Sequence, residues 1–278
     1  PFVTRILNSL KSYCEFLPYA NVVKKNDIYR DIHKGKRCFI LGSGPSINDF
    51  DLNKLSNEII IGLNSFYIHP DFNTIFSSEV PKYMLCAPFH GPEDQLPESH
   101  WLDLLKEHED HLNKNITLFY GLGSCNLNAK KITEKYNMLR GYNLNYYFTS
   151  NVQDEWYSPN IKHFDFTKNL NTASTSSVWG IMLALYMGFD EIYLIGVDNN
   201  LICLPRDNPR FIKGGIGHIN EQKITELGTF SWNYFTSFHL ARTLKQYEFM
   251  NLLYPDKIYN CSKVSMADMF PFIHYDDI

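Results

Sequence analysis

His218 sits in the stretch GGIGHINEQKI, residues 214–224. Imidazole is the side chain best suited to take a proton from a hydroxyl near neutral pH. A histidine on a loop is also an ordinary surface residue beside a turn, so its neighbours in the fold must decide. Four other groupings could share a site with it. Gly42-Ser43-Gly44-Pro45-Ser46 follows the apolar run Cys38–Leu41. Its glycines let backbone N–H groups approach a phosphate or sugar, and Pro45 stands where a helix would begin. The same residues also serve as a plain strand-to-helix turn. Asn64 closes the next apolar run, where a nicotinamide dinucleotide site would want an acidic residue. The third glycine of that fingerprint is missing too, since Pro45-Ser46-Ile47 follows Gly44. Those two departures disfavour NAD and leave a mononucleotide or another ligand read by an amide. Asn64 reads equally as a turn cap.

The third grouping, NTASTSS at residues 171–177, has hydroxyls at five of its seven positions (Thr172, Ser174, Thr175, Ser176, Ser177). One would suffice as a helix N-cap. Several at one helix start can also hold a phosphate or a base edge. The fourth is Asp198, at the tip of the apolar strand YLIGVD. It could bind a substrate hydroxyl, position a catalytic group or cap the next turn.

Other chemistries find little support. His108 and His111 lie three apart in KEHEDHL beside Glu107, Glu109 and Asp110, which imitates a metal face. A solvated helix face explains the same spacing. There is no HExxH, no P-loop, no GxSxG and no DxD in strand context. The net charge of −4 argues against a general nucleic-acid binder. Six cysteines are scattered without a CxxC pair, the usage of a reduced, cytoplasmic protein. No apolar run reaches about 18 residues, the length of a membrane span.

The elements that would position these residues alternate along the chain. Apolar runs at Cys38–Leu41, in EIIIGLNSFYI, in FNTIFSSE ending at Ser77-Ser78-Glu79, in NITLFYG and in NYYFTS read as strands. LPESHWLDLLKEHEDHL reads as an amphipathic helix. A helix over Val178–Met187 stops at Gly188 and feeds the strand EIYLIGVD, and a long helix in WNYFTSFHLARTLKQYEFM leads to a last strand, KIYNCS. Strands alternating with helices argue for a doubly wound, mainly parallel α/β sheet. An extra N-terminal helix precedes it, with apolar spacing at Val3, Ile6, Leu7 and Leu10. That helix either packs on the domain or is an interfacial or linker helix. The expected division is a helix and lead-in over 1–33 and the α/β domain over 34–278.

With these pieces in order, the chain resembles the bacterial sialyltransferases that modify lipooligosaccharides, and the wider set of proteins sharing their Rossmann-like domain. FILGSGPSI, Asn64 in GLNSFYI, TSSVWGIMLALYMGFDEIYLIGVD, GIGH and KIYNCS carry the likeness, over about residues 37–265. The resemblance implies an inverting, metal-independent transfer of a sialic acid from CMP-sialic acid to a glycan hydroxyl. It implies no cofactor beyond the CMP-sugar co-substrate and no nucleic-acid partner. It leaves open a peripheral contact with the inner membrane and self-association. Ser43, Gly44, Pro45, Ser46, Asn64 and Ser78 would line the CMP site, Ser78 standing where the family has an asparagine after its third strand. Thr175 and Ser176 would contact the nucleotide, Gly196 and Asp198 would meet the cytidine or the donor, and His218 would be the general base.

Two departures bear on the donor. The family holds the leaving phosphate with tyrosines on the loop after the aspartate, and here DNNLICLPRDNPRFIKGG has none. Asn199, Asn200, Arg206, Arg210 and Lys213 are the substitutes that loop offers. Ala173 also replaces the basic residue that often precedes the Thr-Ser pair. The donor thus stays open between sialic acid, a pseudaminic- or legionaminic-type acid and another activated sugar. Two rivals remain: a magnesium-dependent pyrophosphokinase using Asp49, Asp51 and Asp198, and a binding protein with a decayed site.

Overall fold

In a computed structural model of the chain, alternation within the strands divides the interior into two cores. The structure describes residues 2–89, 97–123, 127–150, 164–203 and 232–278. The described strands are β1 (Arg37–Leu41), β2 (Ile60–Leu63), β3 (Lys82–Cys86), β4 (Thr117–Leu122), β5 (Asn143–Thr149), β6 (Asn169–Leu170), β7 (Glu191–Ile195) and β8 (Ile258–Asn260). Cys38, Ile40, Ile61, Leu63, Tyr83, Leu85, Ile192 and Leu194 pack on one face of the sheet. Their alternates Phe39, Leu41, Ile60, Met84, Tyr193 and Ile195 pack on the other. Both faces are covered, which is why these strands read as continuous apolar runs.

The sheet has eight strands in the order β6-β5-β4-β3-β2-β1-β7-β8. Every pairing between described strands is parallel. The chain steps outward from β1 to β6, then returns to place β7 against the free side of β1. The β1/β7 boundary is therefore the switch point of the winding, where open α/β sheets take ligands at the carboxyl ends of their strands.

Described helices are α1 (Phe2–Phe16), α2 (Ala20–Val23), α3 (Phe72–Ile75), α4 (Glu98–His111), α5 (Ala129–Tyr136), α6 (Ser176–Tyr186) and α7 (Trp232–Leu253). Helix α6 is apolar nearly all round because it lies between the sheet and α7, against which Ser177 and Tyr247 bond. Gly180 permits the close fit: a Cβ there would stand 2.9 Å from Leu63 Cδ2.

One expected element is wrong. FNTIFSSE is not the third strand: Phe72–Ile75 is the short helix α3, and the strand is Lys82–Cys86. Phe72 and Phe76 sit four apart and stack at 4.3 Å, a helical spacing that an apolar count takes for a strand. The strand KYMLC opens with a lysine, which an apolar count does not register. Lys82 is 2 % exposed, and its Nζ donates to the carbonyls of Ser56 (2.9 Å) and Glu58 (2.7 Å). Burial lowers its pKa to about 8. The solvated reading of His108 fails as well. His108 is buried, bonded to the Tyr120 hydroxyl and edge-on to Tyr67, while His111 stays exposed.

Candidate functional site

At the switch point the loop after β1 and the loop after β7 are built into one another. The Gly42 N–H donates to Ile195 O (2.9 Å) and the Gly44 N–H to Gly196 O (2.7 Å), which carries the β1/β7 ladder past the strand ends. Side chains are excluded here by backbone: a Cβ on Gly44 would meet Asp198 Oδ2 at 2.5 Å and Gly196 O at 2.7 Å. Gly196 itself has φ +65°, the left-handed region that glycine occupies freely. The glycines of GSGPS are thus required by the packing of two loops, whatever else they touch.

Asp198 is 2 % exposed. Its Oδ2 accepts the Ser46 backbone N–H (2.9 Å) and its Oδ1 accepts the Ser46 hydroxyl. It thereby caps the 3₁₀ turn Pro45–Asp49, whose start is one of the few places where a buried carboxylate finds ready donors. Its own carbonyl accepts the Met266 N–H (2.8 Å), and the Ser265 hydroxyl donates to Val197 O (2.8 Å). Asp198 is therefore an internal brace of the β1 loop.

Asn64 takes φ +48° just past β2, and its Oδ1 accepts the Ala87 N–H (2.9 Å) beyond the end of β3. That bond fixes the half-buried Asn64 amide between the ends of β2 and β3. Thr175 is the N-cap residue of α6, but its hydroxyl bonds Ser177 Oγ (2.7 Å) and not the helix backbone. The first turn of α6 lies over the ends of β1 and β2, as the Gly180 contact with Leu63 and Ile40 requires.

A residue that sequence reasoning passed over ties these loops together. Tyr247 of α7 is fully buried. Its hydroxyl bonds Ser177 Oγ (2.6 Å) and accepts from Asn199 Nδ2 (3.1 Å). Burial raises the phenol's pKa, opposed by the bonds to Ser177, Asn199 and Thr175, so Tyr247 works as a neutral hydroxyl. Its neighbour Gln246 accepts the Ser174 N–H (2.9 Å) and donates to Thr172 O (3.1 Å). The signal was in the helix period. Thr243, Gln246, Tyr247 and Met250 share the buried face of α7, and polar side chains at core spacing need partners.

The expected site residues fall into four groups. Ser43, Gly44, Pro45, Asn64, Thr175, Ser176 and Asn199 follow β1, β2 and β7 or open α6, and all are half-buried. Ser46, Gly196, Asp198 and Asn200 lie beneath them, buried. Asn199 Nδ2 donates to Val197 O (3.4 Å) as well as to Tyr247, so both its amide hydrogens are engaged. Asn200 donates to Val264 O (3.3 Å). Ser78 is elsewhere: it precedes β3, at the amino ends of the strands, and its hydroxyl donates to Ser56 O (2.6 Å). A strand ending at Glu79 would have set it at the carboxyl ends, and the strand Lys82–Cys86 sets it at the amino ends. His218, Arg206, Arg210 and Lys213 lie outside the described residues.

No family model matches the chain, and neither does any curated protein. Among solved structures it is similar to the sialyltransferase CstII from Campylobacter jejuni, in complex with a substrate analogue, cytidine-5'-monophosphate. Identity is 17 %, the TM-score is 0.43, and the match covers 86 % of this chain and 85 % of that one. A likeness of that size assigns neither a family nor a role to any residue.

Two other features do not extend the site. Asp49 and Asp51 are exposed, Asp51 accepting the Asn53 N–H (3.2 Å), and among the described residues no three carboxylate, histidine or cysteine groups could hold a metal ion together. A cavity of about 340 Å³ opens at the amino ends of β1, β7 and β8, lined by Arg30, Lys34, Tyr186, Tyr254 and Lys257 among others. Arg30 is paired with Asp27 and Asp165, and Lys257 with Asp190, so the charge there is largely compensated.

Proposed function

We propose that the protein is an inverting glycosyltransferase that moves a sialic-acid-like nonulosonic acid from a CMP donor to a glycan hydroxyl. One observation carries the reading: the half-buried Ser43, Asn64, Thr175 and Ser176 all lie just past the carboxyl ends of β1 and β2 or at the start of α6, around the β1/β7 switch point. The sequence resemblance supplies the nucleotide and the chemistry, and this placement supports them by offering donors where an anion would sit.

In that reading the backbone N–H groups at the start of α6 and the hydroxyls of Thr175 and Ser176 stabilise charge on the departing CMP phosphate. Asn64 Nδ2 donates to the nucleotide, and the β1 loop holds its shape because Asp198 braces it from below. As the bond to the donor carbon breaks, positive charge builds there. The acceptor hydroxyl attacks from the opposite face and gives its proton to His218. The resemblance carries with it transfer without a divalent cation, which is the expectation here.

Calorimetry with CMP, CDP, UDP and ATP, each with and without magnesium, tests the nucleotide. CMP binding that ignores magnesium is expected, and ATP binding that requires it would overturn the reading in favour of a pyrophosphokinase. Replacing His218→Ala is expected to lower turnover by about 10²–10⁴-fold with CMP affinity unchanged. Loss of CMP binding along with turnover would make His218 a nucleotide or structural residue.

A further inference from the structure

The N-terminal segment buries one face and leaves an apolar one uncovered. Ser12, Phe16, Tyr19 and Val23 recur at helical spacing and face the sheet. Ser12 is 5 % exposed and donates to Ser150 Oγ (2.7 Å). Phe16 and Tyr19 pack on Phe148 at 5.6 and 5.4 Å, and Val23 is fully buried beside it. Asn128 Nδ2 donates to the Tyr19 hydroxyl (2.7 Å). With that face anchored, Leu7, Leu10 and Leu17 point the other way, 59 %, 56 % and 50 % exposed. Tyr13, Ile28 and Ile32 are exposed in the same segment. Half of the large apolar side chains exposed among the described residues lie between residues 7 and 32.

The charge is as lopsided as the hydrophobicity. Residues 1–36 hold seven Lys or Arg against three Asp or Glu, a net +4 in a chain whose total is −4, which leaves −8 for the rest. Lys24 and Lys25 stand exposed just past Val23, at the end of the same segment. Pairing this segment with its own copy would set like charges together. Elsewhere among the described residues the exposed large apolar side chains, such as Tyr136, Ile202 and Val264, are spread over separate elements. Among the described residues no helix is long and apolar enough to cross a membrane.

We infer that the segment from α1 to Lys25 is a docking surface for an anionic membrane, lying in the interface with its leucines in the acyl boundary and its lysines at the headgroups. The docking stands apart from the reading of the crevice, yet it bears on it. Ser12 bonds Ser150, whose carbonyl accepts the Thr172 hydroxyl, so α1 is tied to the loop that opens α6. A membrane held by α1 meets the sheet on the side of its carboxyl ends.

Sedimentation of the full chain with vesicles tests the inference. Binding is expected to phosphatidylcholine vesicles carrying about 30 % phosphatidylglycerol, and at least about tenfold weaker binding to phosphatidylcholine alone. Lys24→Glu with Lys25→Glu should remove that preference for the anionic lipid. Leu7→Asn with Leu10→Asn should weaken partitioning by at least about tenfold on either surface. Its thermal midpoint should not move, because both leucines are in solvent. Three results would overturn the proposal: no vesicle binding, binding indifferent to the leucine substitutions, or a dimer in light scattering that those substitutions dissolve.

Discussion

Ser46 gives both its backbone N–H and its hydroxyl to the two oxygens of the Asp198 carboxylate, and thereby joins the loop after β1 to the loop after β7. The pair lies across the switch point, beneath the residues that would touch a ligand. Asp198→Ala would strand a buried N–H and a buried hydroxyl and is expected to cost about 2–4 kcal/mol of stability. Ser46→Ala removes only one of the two bonds and should cost about 1–2 kcal/mol. Urea unfolding checks the order. If Asp198→Ala were no worse than Ser46→Ala, the aspartate would not be the brace.

Gly44→Ala tests how tightly the two loops are fitted. The new methyl would lie 2.5 Å from Asp198 Oδ2 and 2.7 Å from Gly196 O, and the second of these is backbone that cannot swing aside. A loss of about 1–3 kcal/mol is expected, with CMP affinity falling further than stability because Ser43 shifts with the loop. Calorimetry and thermal melting separate the two effects. Unchanged melting would show that the loop has room.

Tyr247→Phe keeps the ring and removes the hydroxyl that connects Ser177 with Asn199. The expected cost is about 1–3 kcal/mol, or a fall in Tm of roughly 2–4 °C per kcal/mol for a chain of this size. CMP affinity should weaken about tenfold, since the start of α6 loses its tie to the loop after β7. Affinity equal to that of the unaltered protein would limit Tyr247 to packing.

Two buried histidines make stability depend on pH. Burial, and secondarily the charge of Lys36, lowers His33 to about 4. Burial and His111 lower His108 to about 3. Both sit near 6.5 when the chain unfolds. The unfolded state therefore binds more protons below that value, and the stability present above pH 6.5 drains away as pH falls toward the folded values. Each histidine contributes a slope of about 1.4 kcal/mol per pH unit in that window. Urea midpoints should drop between about pH 7 and pH 5, and less steeply in His108→Gln. A flat profile would mean that neither histidine is held neutral.

Much of the architecture was legible because burial leaves a periodic trace. Strands covered on both faces showed as apolar runs, and α6 and β7 could be read almost residue by residue from VWGIMLALYMGFDEIYLIGVD. The third strand is hidden because a buried lysine, its ammonium bonded to the carbonyls of Ser56 and Glu58, looks polar in sequence. A pair of phenylalanines four apart took its place, and Ser78 was carried to the wrong edge with it.

The crevice divides in the same way. Its chemical groups, Ser43, Asn64, Thr175, Ser176 and Asp198, were visible in sequence as polar residues at the ends of apolar runs, because strand ends are where a parallel sheet exposes its loops. Their partners within the protein were decided only by the tertiary structure. Asp198 could bind a ligand or brace a loop until Ser46, 152 residues away in the chain, was placed against it. Asn64 could donate or accept until the Ala87 N–H engaged its oxygen. Tyr247 and Gln246 gave no motif at all, since a hydrogen bond depends on distance in space and the sequence records only distance along the chain. Residue types along the chain determined which chemistry was available, and the winding of the sheet decided which of those groups face outward and which hold the others in place.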